Sequence, residues 1–205
     1  MLNLNPDKAV SFTQEEAQAI KQLIDNRGTK KGEELWEEKG VNEIFVGIKK
    51  RIQRHLLDVQ KVRCAYCERI LGHGEVQIEH FAPKWKFPQF LYEPLNLVCS
   101  CNICNGFPKK GKRITIKGEA VHNYIENEFK YVHPFLDDVD NEIKYRTIFR
   151  IKIDYEHCSD KGKATVDMFH WNTLHAQKKR FQNLLVWTTS SERRKMIAEI
   201  LDYKD

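Results

Sequence analysis

CAYCERILGHGEVQIEHFAPKWKFPQFLYEPLNLVCSCNICN, residues 64 to 105, decides how the rest of the chain is read. Cys64 and Cys67 form one pair, Cys101 and Cys104 a second, and each has the two-residue gap with which a zinc knuckle presents its thiolates. Two such pairs joined by a long loop close one tetrahedral zinc site. Between them His80 follows an acidic residue, Glu79, and Asn105 adjoins the last cysteine. Closing the cysteine frame gathers imidazole, carboxylate and amide oxygen beside it, the donors that metal-assisted hydrolysis uses.

From Val62 to about Lys117 the pattern is one of short strands, turns and aromatics, punctuated by Gly72, Gly74, Pro83, Pro88 and Pro94. GHGEVQIEH, Gly72 to His80, predicts a turn and then a strand, with Val76 and Ile78 on one face and Gln77 and Glu79 on the other. On a regular strand Glu79 and His80 point to opposite faces. Both serve one site only if the strand bends or ends there, and Pro83 is placed to end it.

Helical patterns flank this module. Thr13 followed by Glu16 reads as a capping box opening a helix through about Arg27, with Ala17, Ile20 and Ile24 on its buried face. A second helix is predicted from Asn42 to about Gln60, where Ile44, Ile48, Ile52, Leu56 and Val59 recur at helical spacing, with His55 a structural or surface residue. Beyond the module, KYRTIFRIKID, Lys144 to Asp154, alternates as a strand does. Helix returns after Lys161, through TVDMFHWNTLHAQKKRFQNLL and then SERRKMIAEIL. The expected organisation is an N-terminal helical extension over 1–61, a zinc-bearing module over 62–117, and a mixed then helical extension over 118–205. The fold class is α+β.

Composition narrows the function. The chain has 34 Lys and Arg against 29 Asp and Glu, a net charge of +5, and the cations cluster at Lys49 to Arg54, Lys109 to Arg113, Lys178 to Arg180 and Arg193 to Lys195. Such clusters suit a polyanion, although any one of them also reads as a solvated helix face. The cluster beside the cysteines, Lys109, Lys110, Lys112 and Arg113, is the one placed to contact nucleic-acid phosphates from a loop. No run of eighteen apolar residues crosses a bilayer, and MLNLNPDKAVSF lacks the basic and apolar parts of a secretory signal. The expected location is therefore the reducing cytoplasm, where clustered cysteines hold zinc rather than pair as disulfides. No GxxxxGK[ST] loop, internal repeat or coiled-coil seam is present.

The window resembles the HNH endonucleases, whose ββα-metal module presents an acidic residue or histidine followed by histidine on a strand, asparagine in the intervening loop, and histidine or asparagine on the helix. Asn96 and Asn105 stand at the family's middle and final letters, and Cys101 and Cys104 at the cysteine positions of its zinc-bearing members. In that register zinc belongs to Cys64, Cys67, Cys101 and Cys104, while Cys99 and the isolated Cys158 are small buried residues. The resemblance implies His80 as general base, Glu79 and Asn105 as ligands of a catalytic magnesium or manganese ion, and Asn96 as a brace for the loop that orients His80. Gly106 and Pro108 stand where many members continue the helix, which predicts a short metal helix.

The whole-chain layout is similar to a narrower group, the small HNH proteins of Septu anti-phage systems and of related retron-linked defence systems. CAYCE (64–68), IEHFAPK (78–84), LNLVCSCNICN (95–105), YVHPFLDD (131–138) and FHWNTLHAQKKR (169–180) carry that likeness, with Trp171 replacing a usual leucine. It implies a nuclease acting on DNA with an ATPase partner, PtuA in the Septu case. Two alternatives stay open: a zinc-stabilised nucleic-acid or protein adaptor without catalysis, and a stand-alone restriction-type nuclease. Loss of activity in His80→Ala separates the first, and genome neighbourhood the second.

Overall fold

A computed structural model describes residues 1–37, 43–72 and 74–191. The predicted helix SERRKMIAEIL lies outside the described residues except for its first serine, as do the Arg193–Lys195 cluster and the predicted helix start at Asn42. In chain order the helices and strands are α1 (Gln14–Asp25), α2 (Gly32–Glu37), α3 (Glu43–Val59), β1 (Val76–His80), β2 (Leu97–Cys101), α4 (Asn102–Asn105), α5 (Val139–Glu142), α6 (Asp160–Phe169) and α7 (Leu174–Trp187). The class is α+β, with one two-stranded sheet among the described residues.

The capping box forms as its residues dictate. Glu16 N–H donates to the Thr13 hydroxyl at 3.2 Å, and Thr13 N–H donates back to the Glu16 carboxylate at 2.9 Å. Arg51 of α3 binds the same carboxylate, which ties α1 to α3. The expected face of α1 is shifted: Ile20, Leu23 and Ile24 are half-buried against the core, whereas Ala17 is exposed. The deep helix is α3, whose Ile48, Ile52 and Leu56 are fully buried at four-residue spacing. Each such side chain contributes roughly 1.5–3 kcal/mol through burial.

The six-residue α2 carries no sequence signal strong enough to anticipate. Its entry is a close approach, because a Cβ on Gly32 would lie 2.1 Å from the Lys84 carbonyl oxygen. Only glycine lets α2 press against the segment that follows β1.

β1 and β2 pair antiparallel from Val76↔Cys101 to His80↔Leu97, and every residue of β2 is buried. The four-residue α4 follows at once, capped by Cys101 and ended by Gly106, in accord with a short helix before Pro108. Buried residues from Met1 to Trp171 form one continuous core, and residues 115–117 hydrogen-bond with 128–130.

Two expectations in the C-terminal stretch are corrected. Lys144–Asp154 is not a strand: the chain reverses on itself, with Arg146 N–H donating to the Lys152 carbonyl at 3.0 Å, Arg150 at φ +56°, and a single bridge from Tyr145 to Ile153. Ile148 at the tip is exposed, so the alternation of apolar residues does not mark a buried face. The long helical pattern after Lys161 is broken at His170, which takes the left-handed conformation at φ +54° and ends α6 before Thr173 caps α7.

His133, in YVHPFLDD, is fully buried and caps the turn that follows it, its Nδ1 accepting from Phe135 N–H at 3.1 Å and Leu136 N–H at 3.3 Å. Burial, with Lys161 adding to it, pushes its pKa down to about 3. A histidine depressed in the fold and ordinary in the unfolded chain leaves stability intact above about pH 6.5 and lowers it as pH falls from there toward 3. Between pH 7.5 and 5.5 the cost is about 1.4 kcal/mol. Urea unfolding at the two pH values should show the wild type losing that much more than His133→Gln. Equal losses in the two proteins would contradict a neutral buried ring.

Candidate metal centre and buried histidine

The two knuckles meet where β2 turns into α4. The sulfur atoms of Cys64, Cys67, Cys101 and Cys104 all lie within 4.8 Å of one another, and Cys67 Sγ is 3.9 Å from Cys101 Sγ. A tetrahedron with metal–sulfur bonds of about 2.3 Å has edges of about 3.8 Å, so the donor set fits a zinc-sized ion. Backbone N–H groups of Cys101 and Cys104 donate to the sulfurs of Cys64 and Cys101, each at 3.4 Å, as donors to thiolates do.

Close packing sets these thiols against one another. Cys101 is held far below the ordinary thiol range by hydrogen bonds from Cys104 first, then Cys64 and Cys67, while Cys104 is driven far above it by hydrogen bonding with Cys101 first, then Cys64 and Cys67. Cys64, Cys67, Cys101 and Cys104 would hold a divalent ion as thiolates, and its charge would relieve that competition for protons. Arg69 stands beside Cys101 and pairs with Glu75 at 3.1 Å, placing positive charge next to the cluster. Cys99 is outside it: its sulfur faces the Gln53 carbonyl at 3.8 Å, and burial pushes its pKa up to about 12. Cys158 is a separate buried thiol near Lys144 and Asp154.

His80 and Glu79 do not converge in the expected way, because strand pairing continues through both, Glu79↔Val98 and His80↔Leu97. His80 points toward α2, where its ring meets the edge of Trp36 at 4.6 Å between centroids, and it is 2% exposed. His80 Nε2 lies 2.9 Å from the Leu91 carbonyl oxygen, which can only accept, so Nε2 carries the proton and Nδ1 is bare. Burial pushes the His80 pKa down to about 3, with Lys84, Lys110 and Lys49 adding to it, so the ring is neutral near pH 7.

Sequence reasoning missed the residues around this ring. Lys49 and Lys84 stand 4.8 Å and 6.0 Å from the centroid of the Trp36 ring, and the Lys49 ammonium also donates to the Trp36 carbonyl. No salt bridge joins either lysine to a carboxylate among the described residues. The available signals were Lys84 within IEHFAPK and Lys49 in the basic run 49–54; Trp36 had none.

The expectation for Lys110 is corrected. It is not a loop cation exposed to phosphates but is 1% exposed, with its ammonium 2.8 Å from Glu79 Oε1 and donating to the His80 carbonyl at 3.1 Å. The physical reason is that Glu79, on the face of β1 opposite His80, is itself buried and requires a counterion. Lys109 is half-buried and Lys112 pairs with Glu33 of α2 at 2.9 Å. Arg113 folds back to the carbonyls of Lys109 and Pro108. Lys110→Met strands a buried carboxylate and should cost about 3 kcal/mol in urea unfolding, part of which Glu79→Gln in the same chain restores. A phosphate contact would instead leave stability alone and reduce the salt dependence of DNA binding by about one ion.

Asn105, the other expected ligand of a catalytic ion, donates to Gln77 Oε1 at 2.8 Å, so each expected ligand has a protein partner here. Asn96 spans its loop: Oδ1 accepts from Ala82 N–H at 2.6 Å, and Nδ2 donates to the carbonyls of Ala82 at 3.2 Å and Phe90 at 2.8 Å.

No family model matches the chain. It is similar to a Septu protein PtuB of Bacillus thuringiensis, 26% identical over 203 residues, a match covering 96% of this chain and 63% of that protein. The chain therefore spans less than two thirds of its relative's length, and the likeness is a distant one that runs through nearly the whole chain.

Proposed function

We propose that the chain is a zinc-stabilised HNH endonuclease that hydrolyses DNA phosphodiester bonds in the cytoplasm, as the nuclease of a Septu-type anti-phage system with a PtuA-like ATPase partner. Residues 62–117 are its ββα-metal module, and the flanking helical stretches are its natural docking surfaces. The observation that carries the proposal is the setting of His80: a buried ring whose Nε2–H is tied to Leu91, which leaves Nδ1 without a proton among Lys49, Lys84 and Lys110, although a pKa of about 3 makes that nitrogen a weak base in this buried setting. The likeness to PtuB along the chain supports the defence setting.

In this proposal Nδ1 of His80 takes the proton of the attacking water, and Lys49 and Lys84 supply positive charge for the scissile phosphate. By the HNH resemblance Glu79 and Asn105 would hold magnesium or manganese, which would supply charge stabilisation to the phosphate and the leaving 3′ oxygen, but here Glu79 lies on the face of β1 opposite His80 and is paired with Lys110, so the carboxylate and the imidazole do not meet at one site.

A zinc adaptor without catalysis is the second reading. The burial of His80 against Trp36 and the hold of Lys110 on Glu79 favour it. Supercoiled plasmid incubated with magnesium or manganese, with and without the neighbouring ATPase, separates the two. Nicked or linear product that EDTA abolishes is expected, and intact plasmid under every condition would leave the adaptor.

A further inference from the structure

YVHPFLDD contains a residue whose bonds lead back to His80. His133 Nδ1 accepts two backbone N–H groups, so in the neutral ring the proton sits on Nε2. His133 Nε2 is 2.9 Å from Tyr124 Oη, and Tyr124 Oη is 2.9 Å from Asn96 Oδ1. The direction of each bond follows. His133 donates to the tyrosine oxygen, and the single tyrosine proton goes to Asn96. Asn96 Oδ1 then accepts twice, from Tyr124 and from Ala82, while Nδ2 donates both of its protons, to Ala82 and Phe90. Every polar valence of this buried carboxamide is used, and its flipped form would set donor against donor.

The loop pinned in this way starts at Phe81, next to His80, and carries the Leu91 carbonyl, one residue beyond Phe90, that fixes the His80 tautomer. We infer that Tyr124 and His133 are positioning residues for His80: the relay His133 to Tyr124 to Asn96 holds the Leu91 carbonyl on Nε2 and so keeps Nδ1 bare and aimed. This rests on the proposed role of His80 as base. The relay is oriented throughout, all its members are buried, and it joins the 118–205 stretch to the loop that holds His80.

Tyr124→Phe removes only the hydroxyl, and the ring keeps its place against Phe90, Phe129 and His133. With zinc content retained, kcat for plasmid cleavage should fall roughly 10- to 100-fold with KM unchanged, the size of effect that slight misplacement produces. The His80 nitrogen spectrum should pass from one Nε2–H tautomer to a mixture. Two changes at 133 guard against a variant that fails to fold. His133→Gln keeps a donor near the Nε2 position and should hold kcat within about twofold, whereas His133→Asn keeps the acceptor near Nδ1 that caps the turn and should behave as Tyr124→Phe does. Wild-type kcat and an unchanged His80 spectrum in zinc-loaded Tyr124→Phe, or in His133→Asn, would overturn the relay. If the wild type itself does not cleave, the nuclease reading fails instead, and the His80 spectrum alone decides the relay: a mixture upholds it and a single tautomer overturns it.

Discussion

Replacing Cys64 or Cys104 by serine should abolish metal binding and unfold the sheet and its surroundings, with near-complete loss of the thermal transition of the loaded protein. The expectation follows from the shortness of the elements that carry the ligands, which pack into the core from around the cysteine cluster. β1 and β2 are five residues each, and so short a two-stranded sheet depends on what packs against it. β2 ends in Cys101, α4 is a four-residue helix containing Cys104, and neither element propagates without the other. The CAYC loop meets them through bonds such as Ala65 N–H to the Cys99 carbonyl at 2.9 Å. A structural zinc ion contributes on the order of 10–16 kcal/mol of apparent binding free energy at pH 7, as large as the stability of a typical domain. Elemental analysis should give one zinc per chain in the wild type and none in Cys64→Ser or Cys104→Ser. Cys99→Ala is the control, since it removes a buried thiol outside the cluster and should keep full zinc. Zinc loss in Cys99→Ala, or a stable zinc-free Cys104→Ser, would overturn the assignment of ligands.

The cysteine frame was legible because it is local. A two-residue gap fixes the bite of each pair whatever surrounds it, and the second pair lies on one short turn, so spacing points to the two pairs and the register of the HNH resemblance sets Cys99 aside. α3 was legible for a related reason: Ile48, Ile52 and Leu56 repeat at helical spacing. The capping box at Thr13 needed only two residues three apart.

What remained hidden depends on packing between distant segments. Lys110 lies in KKGKR, a pattern that describes a solvated run, and only the buried carboxylate of Glu79, 31 positions away, draws it inside. Trp36 sits on a helix too short to show periodicity, and it reaches His80 because Gly32 lets α2 approach Lys84. Tyr124 and His133 act on Asn96 from 28 and 37 positions downstream, and no local pattern announces that. The false strand at Lys144–Asp154 shows the converse failure, since alternation continues through a reversal that one residue at positive φ permits. The strand parity of Glu79 and His80 was legible and held: the two point apart, which places the counterion of one and the aromatic cover of the other on opposite sides of β1.

His80→Ala should lower the rate of metal-dependent DNA cleavage by about 10²- to 10⁴-fold, the contribution of a positioned general base. The deletion also has a structural cost. It removes the ring that Trp36 meets edge-on and leaves the Leu91 carbonyl without its donor, and an orphaned buried acceptor destabilises by about 1–3 kcal/mol. His80→Gln separates the two effects. Its amide can still donate to Leu91 from near the Nε2 position but offers no basic nitrogen at the Nδ1 position. Activity should therefore fall as far as in His80→Ala while the urea midpoint stays closer to the wild type. Zinc content should be unchanged in both, because the cysteine cluster neither contains nor contacts the imidazole. A zinc-loaded His80→Ala protein that cuts plasmid at the wild-type rate would remove His80 from the chemistry and the HNH mechanism with it.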